Sequence, residues 1–371
     1  MRRKQDYRDK YTHHNRSVLP EPVQDACHDL GQAFRSNTVT QEGIDRFRLG
    51  FQGLSAEAVP RASDEIRGIA RLYKSEAPDG SGNPGWFSGS FFSKPEDVPV
   101  PLDRHPDLGW LLLFHGNGFI RQAALEALCE APQCPFEFSA IVYRLNDWVG
   151  NVRRAAADYS ERTFGQTSAS VVAESAFFLL HQAHALNRWD RVEKKQLDAV
   201  FQRPDVARLL KNEFLGIRPG RVGQTFRQFL QGAEIDPYLE ELARDARLPS
   251  VRAIATQTLL SGRAQWFVGY REVWVDKRFG CSTKIAEFDS RAITPVCRES
   301  RVLEQAALDR SVQVRKVAAD ALIARRESAT DRTDRIAHRL AADRNVSVRA
   351  RAEFYLRKRA ENSQIPTRDL T

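Results

Sequence analysis

The side chains of this chain best suited to chemistry are arginines and lysines, some of them close to aromatic rings. Trp148 lies shortly before the pair Arg153 and Arg154. Guanidinium groups pair with phosphates and carboxylates, and aromatic rings stack on planar groups. We predict binding roles for these three residues and for a further set of basic residues, which are Lys277, Arg278, Arg315, Lys316, Arg349 and Arg351.

Other residue types do not combine into a catalytic or metal-binding pattern. The five cysteines are scattered, and no two of them form a C-x-x-C motif. Cys27 and His28 are adjacent, but nothing near them completes a four-ligand set. His181 and His184 have no carboxylate or Cys partner at helical spacing, which favours a core or groove position. The sequence therefore predicts no catalytic residue, no metal and no cofactor.

The composition is typical of a folded protein outside the membrane. Charged residues make up 28% of the 371 residues and hydrophobic residues 42%. No apolar run reaches the roughly 18 residues needed to span a bilayer. The basic start of the chain is not followed by the apolar segment of a secretory signal. These features and the scattered cysteines predict a reducing, cytoplasmic location.

The positive charge is concentrated at the two ends of the chain. Residues 298–359 contain 16 Lys and Arg against 9 Asp and Glu, while the whole chain has a net charge of +8. Residues 1–16 contain 6 basic residues against 2 acidic ones. A basic end favours an anionic partner. Solvated helix faces together with structural arginines would give the same composition, so both interpretations stay open.

A short pattern recurs along the chain and predicts the elements that position these residues. It is clearest at Asp309–Leu322, DRSVQVRKVAADAL, and at Asp343–Leu356, DRNVSVRARAEFYL. Further copies, two of them looser, lie at Asp147–Ser160, Asp245–Leu259 and His115–Leu128. The Val or Ile before each arginine recurs at steps close to multiples of about 33 residues, a period typical of stacked repeats.

Each copy predicts a pair of helices. An amphipathic helix precedes the Asp, and a second helix follows with apolar residues at helical spacing, such as Val314, Ala318 and Leu322. The small Ala lets the paired helices approach closely. The Asp lies just before the second helix, where its carboxylate can accept free backbone N–H groups.

This pattern resembles the HEAT-repeat family of α-solenoids over roughly residues 106–360. The residues that carry the resemblance are Asp147, Val152, Arg153, Ala156; Asp245, Val251, Arg252, Ala255; Asp309, Val314, Arg315, Ala318; and Asp343, Val348, Arg349, Ala352. The resemblance implies an all-α fold, a right-handed α-α superhelix. It also implies a structural ladder of hydrogen bonds, formed here by Asp147, Asp245, Arg252, Asp309 and Asp343.

Two segments interrupt the helical pattern. Residues 264–296 change to a period near two, with Trp266, Val268 and Tyr270 before Arg278-Phe279-Gly280. This alternation predicts a β-hairpin insertion with its turn near Lys277–Ser282. The hairpin is either a functional element or a brace between helices. Residues 76–105 are rich in Gly, Pro and Ser and predict a long loop, whose aromatic residues we expect to hold it to the helices.

The predicted organisation has seven parts. They are a disordered basic arm at 1–20, an N-terminal helical cap at 21–75, the loop at 76–105, HEAT-like repeats at 106–263, the hairpin at 264–296, HEAT-like repeats at 297–360 and a tail at 361–371.

The resemblance and the charge distribution together indicate two classes of function. The first is a non-catalytic scaffold that binds a protein partner on its concave face. The second is a nucleic-acid-binding protein, in which basic residues neutralise phosphates and release counterions. A branch of DNA glycosylases for alkylated bases is also built from HEAT-like repeats, and its site residues are similar in type to Trp148, Arg153, Arg154 and Asp147. No membrane partner is predicted.

Overall fold

The computed structural model describes residues 17–73, 101–182, 191–218, 220–293 and 299–363. Most of the predicted N-terminal arm, most of the aromatic loop, with Trp86, Phe87, Phe91 and Phe92, and most of the tail lie outside the described residues. The same is true of His184 and of the side chain of His181. The chain divides into two compact units, Met1–Leu179 with Leu186–Val200, and Leu180–Ala185 with Phe201–Thr371.

The described residues are mostly helical. The helices up to residue 201 are α1 Glu21–Arg35, α2 Gln41–Leu49, α3 Val59–Ile69, α4 Gly109–Leu112, α5 Gly118–Ala127, α6 Pro135–Leu145, α7 Gly150–Thr163, α8 Ala169–Gln182 and α9 Arg191–Phe201. The later ones are α10 Pro204–Leu215, α11 Val222–Phe229, α12 Leu239–Asp245, α13 Pro249–Ser261, α14 Glu299–Ala307, α15 Val312–Ala324, α16 Asp331–Ala341 and α17 Val346–Ser363. The sequence patterns indicated most of these helices but not α10.

One two-stranded antiparallel sheet accompanies the helices in the described part of the chain. It consists of β1, Arg263–Asp276, and β2, Cys281–Ala292, so the predicted hairpin is confirmed. Four residues, from Lys277 to Gly280, connect the strands, and Gly280 has a φ of 64°. Glycine adopts such a left-handed conformation without steric cost.

The core of the first unit is aromatic. The Phe51 ring lies 4.7 Å from Phe136 and 6.5 Å from Phe114 between centroids, which packs the segment after α2 against α6 and against the turn after α4. Burial of such rings is a large contribution to folding. No helix among the described residues is both long and apolar enough to cross a membrane.

The core of the second unit is built mainly from small and aliphatic side chains. Alternate helices pack in series, α11 on α13, α13 on α15 and α15 on α17. Fully buried alanines at their contacts, such as Ala318 and Ala352, allow the close approach that the sequence pattern indicated. The fourth residue of α13, of α15 and of α17 is an arginine that bonds to carbonyls of the preceding loop, as described below.

Buried arginines link successive helix pairs. Arg252, the fourth residue of α13, donates from Nε and Nη2 to the two carboxylate oxygens of Asp309, at 2.8 and 2.9 Å. Its Nη1 donates to the backbone carbonyls of Ala246 and Arg247, six and five residues earlier. Asp309 Oδ1 also accepts from the backbone N–H of Ser311. The buried guanidinium group of Arg252 therefore connects α13 to the loop before it and to the loop that contains Asp309.

The same arrangement occurs at two further places. Arg315 donates to both carboxylate oxygens of Asp343, and its Nη1 donates to the carbonyls of Asp309 and Arg310. In the first unit, Arg121 bonds to both oxygens of Asp147 at 2.8 and 3.0 Å. Charge-assisted bidentate pairs of this kind are strong and geometrically specific.

Asp245 does not make the ladder contact that the sequence predicted for it. It is the last residue of α12 and pairs with its neighbour Arg244, with about half of each side chain exposed. The residue six before Arg252, which corresponds to Asp309 in the next copy, is Ala246. The looser copy has one extra residue between Asp245 and Arg252. Asp245 therefore lies seven residues before its arginine, whereas Asp309 lies six residues before Arg315.

The two aspartates provide a matched test of this difference. Replacing Asp309 by Ala should lower the free energy of unfolding by about 3–5 kcal/mol, because Arg252 stays buried without its carboxylate. Replacing Asp245 by Ala should cost less than about 1 kcal/mol, as is usual for an exposed pair. Urea denaturation of the two variants measures both values. Equal losses would contradict the assignment of Ala246 to the ladder position.

His115 occupies the aspartate position in the first unit and is buried. Its Nδ1 accepts from the backbone N–H of Asn117 at 3.0 Å, as the aspartates do from the residue two further on. Burial, with the nearby Arg121 charge, lowers the pKa of His115 from 6.5 to about 4. The neutral ring is therefore the form that the fold accommodates.

This shifted pKa predicts a pH-dependent stability. Below about pH 6.5 the unfolded chain binds a proton on His115 that the folded chain does not, so the free energy of unfolding falls as the pH decreases towards 4. The slope from this group is at most about 1.4 kcal/mol per pH unit. The variant His115→Asn should show a flatter profile in urea denaturation between about pH 4.5 and 7. An unchanged slope would assign the pH dependence to other groups.

Candidate functional site

Three exposed arginines occupy the same position in three successive copies of the motif. Arg247, Arg310 and Arg344 each lie five residues before another arginine, the buried Arg252 or the half-buried Arg315 and Arg349, whose Nη1 binds their backbone carbonyl. Because α13, α15 and α17 pack in series, these residues lie along one edge of the second unit. We call Arg247, Arg310 and Arg344 the arginine row.

The arginine row differs from most other arginines of this unit in its lack of partners. Arg301, Arg325, Arg332, Arg351 and Arg359 all form ion pairs with Asp or Glu. The side chains of the arginine row form no ion pair or hydrogen bond with any residue that the structure describes. Their guanidinium groups are therefore available to bind phosphate or carboxylate oxygens.

A cleft of about 580 Å³ lies between α11, α13 and the hairpin of the same unit. Its lining combines arginine, glutamine and aromatic side chains: Arg221, Gln224, Arg227, Gln228, Gln257, Gln265, Phe267, Tyr270, Ala286 and Phe288. An adjoining cleft shares Arg221, Gln224 and Arg227 and extends to Leu248, the neighbour of Arg247 in the arginine row. We call the larger space the hairpin cleft.

The base of the hairpin is fixed to the helices by polar contacts. Arg291 on β2 forms a bidentate pair with the buried Asp236 at 2.7 and 2.8 Å, and also donates to the backbone carbonyls of Leu230, Gln231 and Gly232 after α11. Gln228 Nε2 donates to the carbonyl of Phe267 at 2.9 Å. These bonds fix the two walls of the hairpin cleft relative to each other.

The electrostatics of the hairpin cleft favour an anion. No Asp or Glu is among the described residues that line it. Arg227 is half-buried, its guanidinium group lies 5.9 Å from the centre of the Phe288 ring, and no described carboxylate pairs with it. Burial lowers the pKa of Arg227, but a guanidinium group stays charged at neutral pH. An anionic ligand would compensate the charge of this half-buried arginine.

The predicted binding residues of the first unit lie around a buried ion-pair cluster. Arg153 Nη1 donates to the carbonyl of Asp147, while Arg154 is exposed and contacts Asn151. The Trp148 side chain is 52% exposed. Asp147 accepts from Arg121, Arg144 and the backbone of Val149. Its carboxylate is thus buried and fully hydrogen-bonded, which does not suit the catalytic role that the glycosylase resemblance implies.

The predicted binding residues near the C-terminus have mixed positions. Arg315 and Arg349 bond through Nη1 to loop carbonyls, and Arg315 also pairs with Asp343, so both stabilise the fold. Arg351 pairs with Asp320. Lys316 is half-buried on α15 and has no ion pair with a described residue.

Lys277 and Arg278 lie in the exposed hairpin turn, as expected. Neither residue lines the hairpin cleft. Their charges therefore extend beyond the cleft rather than completing it.

The sequence patterns did not single out the arginine row or the hairpin cleft. A signal for the row was present, because Arg310 and Arg344 both directly follow the motif aspartate. Arg247 would have been found by aligning the copies on the buried arginine. Arg227 and Phe288 have no sequence relationship that would have placed them in one cleft.

Comparisons with known proteins do not assign a function. No family model, curated protein sequence or solved structure matches this chain. In addition, no group of three or more His, Cys, Asp or Glu side chains in the described segments has the arrangement of a metal site. The geometry of the second unit is therefore the basis for a functional proposal.

The anchoring of the hairpin can be tested with two arginines of the same element. Replacing Arg291 by Ala leaves Asp236 buried without a partner, so the hairpin amides should exchange hydrogen at least about tenfold faster. Arg271, which is exposed and 3.9 Å from Glu287, is the matched control, and its replacement by Ala should leave exchange unchanged. Hydrogen–deuterium exchange with mass spectrometry measures both. Identical exchange in the two variants would mean that Arg291 does not anchor the hairpin.

Proposed function

We propose that this protein binds nucleic acid through its second unit, with HEAT-like helix pairs as the scaffold. The observation that carries the proposal is the arginine row, in which exposed guanidinium groups without partners recur at equivalent positions. The serial packing of α11, α13, α15 and α17 and the positive charge of residues 298–359 support it.

The spacing of the arginine row fits a phosphate backbone. Packed helices lie about 8–10 Å apart, so neighbouring members of the row are separated by roughly that distance. Phosphates follow one another along a strand every 3.4 Å or so of the duplex axis. Successive arginines would therefore each reach a separate phosphate of the backbone. Such contacts carry no base specificity, and they predict binding that is independent of sequence.

Salt dependence provides the primary test of this proposal. Fluorescence anisotropy with a labelled duplex and a labelled single strand, between about 50 and 300 mM salt, should show affinity that falls steeply as salt rises. The reason is that each phosphate contact releases condensed counterions. No binding of either nucleic acid at the lowest salt would refute the proposal.

Charge reversal in the arginine row should weaken this binding selectively. The double variant Arg310→Glu/Arg344→Glu should lower duplex affinity and reduce the slope of log K against log salt by about 2, one for each lost phosphate contact. The matched control is Arg335→Glu/Arg339→Glu, which changes the charge equally at two exposed arginines on α16. Equal effects in the two double variants would indicate attraction by net charge rather than by the row.

A protein partner is the second candidate, and one observation favours it. The hairpin exposes apolar side chains near its turn, including Trp274, Val275 and Phe279. Exposed apolar patches commonly mark contact surfaces. The same titrations separate the two candidates, because a scaffold for a protein partner predicts no salt-dependent binding of nucleic acid at low salt.

A further inference from the structure

The hairpin cleft has the features of a site for a planar, polar ligand. Its volume of about 580 Å³ lies within the range of roughly 300–1,000 Å³ that is usual for ligand sites. It lies in the second unit and adjoins the cleft that reaches Leu248, directly beside Arg247. A strand bound along the arginine row would therefore pass close to the mouth of the hairpin cleft.

A β-bulge places the aromatic rings of the hairpin on one face. Phe267 and Tyr270 are three residues apart and would lie on opposite faces of a regular strand. The pairing changes between Phe267 and Gly269, so that Phe267 opposes Phe288 while Tyr270 opposes Ala286, and all four line the cleft. Bulges often redirect a side chain at a functional position in this way.

These rings are exposed rather than used in the core. Tyr270 is 64% and Phe288 49% exposed, and the Phe267 ring lies 5.0 Å from Tyr270 and 5.9 Å from Phe288 between centroids, in edge-to-face arrangements. Exposed faces of Tyr270 and Phe288 can accept a stacked ring. Stacking on aromatic side chains is the common way in which proteins bind unpaired bases.

The remaining lining residues supply complementary polar groups. Gln224, Gln257 and Gln265 are exposed to the cleft, and each amide offers both donors and acceptors. Such groups can bond to the edges of a base. Arg227, half-buried beside Phe288, is positioned for a phosphate, and the described lining contains no carboxylate that would repel one.

We propose that the hairpin cleft holds unpaired nucleotides, with Tyr270 and Phe288 stacking on bases and Arg227 bonding to a phosphate. This inference rests on the proposed function and extends it, because it assigns a preference for single-stranded over duplex regions. The arginine row provides the sequence-independent contact with the backbone, and the cleft discriminates between paired and unpaired bases.

The test compares two double variants of the full-length protein on two nucleic acids. In Tyr270→Ala/Phe288→Ala, affinity for a labelled pyrimidine single strand should fall about 5- to 100-fold, while affinity for the duplex stays unchanged. The control, Val273→Ala/Ile285→Ala, removes apolar side chains from the opposite face of the same strands and should affect neither. Thermal melting of both variants verifies that they fold.

A second variant tests the phosphate contact independently. Replacing Arg227 by Gln should reduce the salt slope for the single strand by about 0.7 and leave the slope for the duplex unchanged. Changing the ring residues alone should not alter either slope, since stacking releases few counterions. The two variants thus separate the stacking contribution from the electrostatic one.

Each outcome decides between the two proposals. If duplex binding persists but both hairpin double variants bind the single strand equally, the cleft proposal is wrong and the proposed function stands. If neither nucleic acid binds wild-type protein, both are wrong. Displacement of the single strand by poly-glutamate as readily as by an unlabelled single strand would show that the cleft selects charge alone, which also overturns the cleft proposal.

Discussion

The bidentate pair between a buried arginine and the aspartate of the next loop is the interaction on which the second unit depends. Arg252 brings a charge into the interior, where an unpaired ion would cost several kcal/mol, and it pairs there with Asp309. The pair of Arg315 with Asp343 is partly buried. Further hydrogen bonds offset this cost, because Nη1 of each arginine also donates to backbone carbonyls of the preceding loop. The pairs therefore determine how far each helix pair can shift against the next.

This constraint also explains where the exposed arginines lie. Arg252, Arg315 and Arg349 each bond to the carbonyl of the residue five positions earlier, so the backbone of that residue is fixed while its side chain is exposed. In the second unit that residue is Arg247, Arg310 or Arg344. In the first unit the equivalent positions hold Gly116 and Trp148. The same backbone geometry thus presents different chemistry in the two units.

Much of the fold was predictable because each helix or strand is indicated by the spacing of residues within one short segment of the chain. The spacing of Asp309, Val314 and Arg315 indicated the helix start and its aspartate, and alternation around Tyr270 indicated the hairpin. These patterns did not predict which arginines pair within the fold and which are exposed. Arg310 and Arg315 have the same chemistry in sequence, and only the burial of one beside Asp343 separates structural from exposed roles. Asp245 was wrongly predicted to take part in the ladder for a similar reason. One extra residue in this copy places Ala246, rather than Asp245, six residues before Arg252.

The hairpin cleft depends on contacts that no local pattern encodes. It exists because Arg291 fixes the base of the hairpin to Asp236 and to the carbonyls after α11, which sets Phe267 and Phe288 opposite Arg227. Beyond that anchored base, most of the hairpin side chains are exposed, as expected for a two-stranded sheet that packs on its support only at one end. An exposed aromatic face on an anchored base loses little conformational entropy when it binds. The anchoring of the hairpin and the proposed stacking on its rings are thus two consequences of one arrangement: the polar bonds at the base hold the rings in place, so they need not contribute to the core.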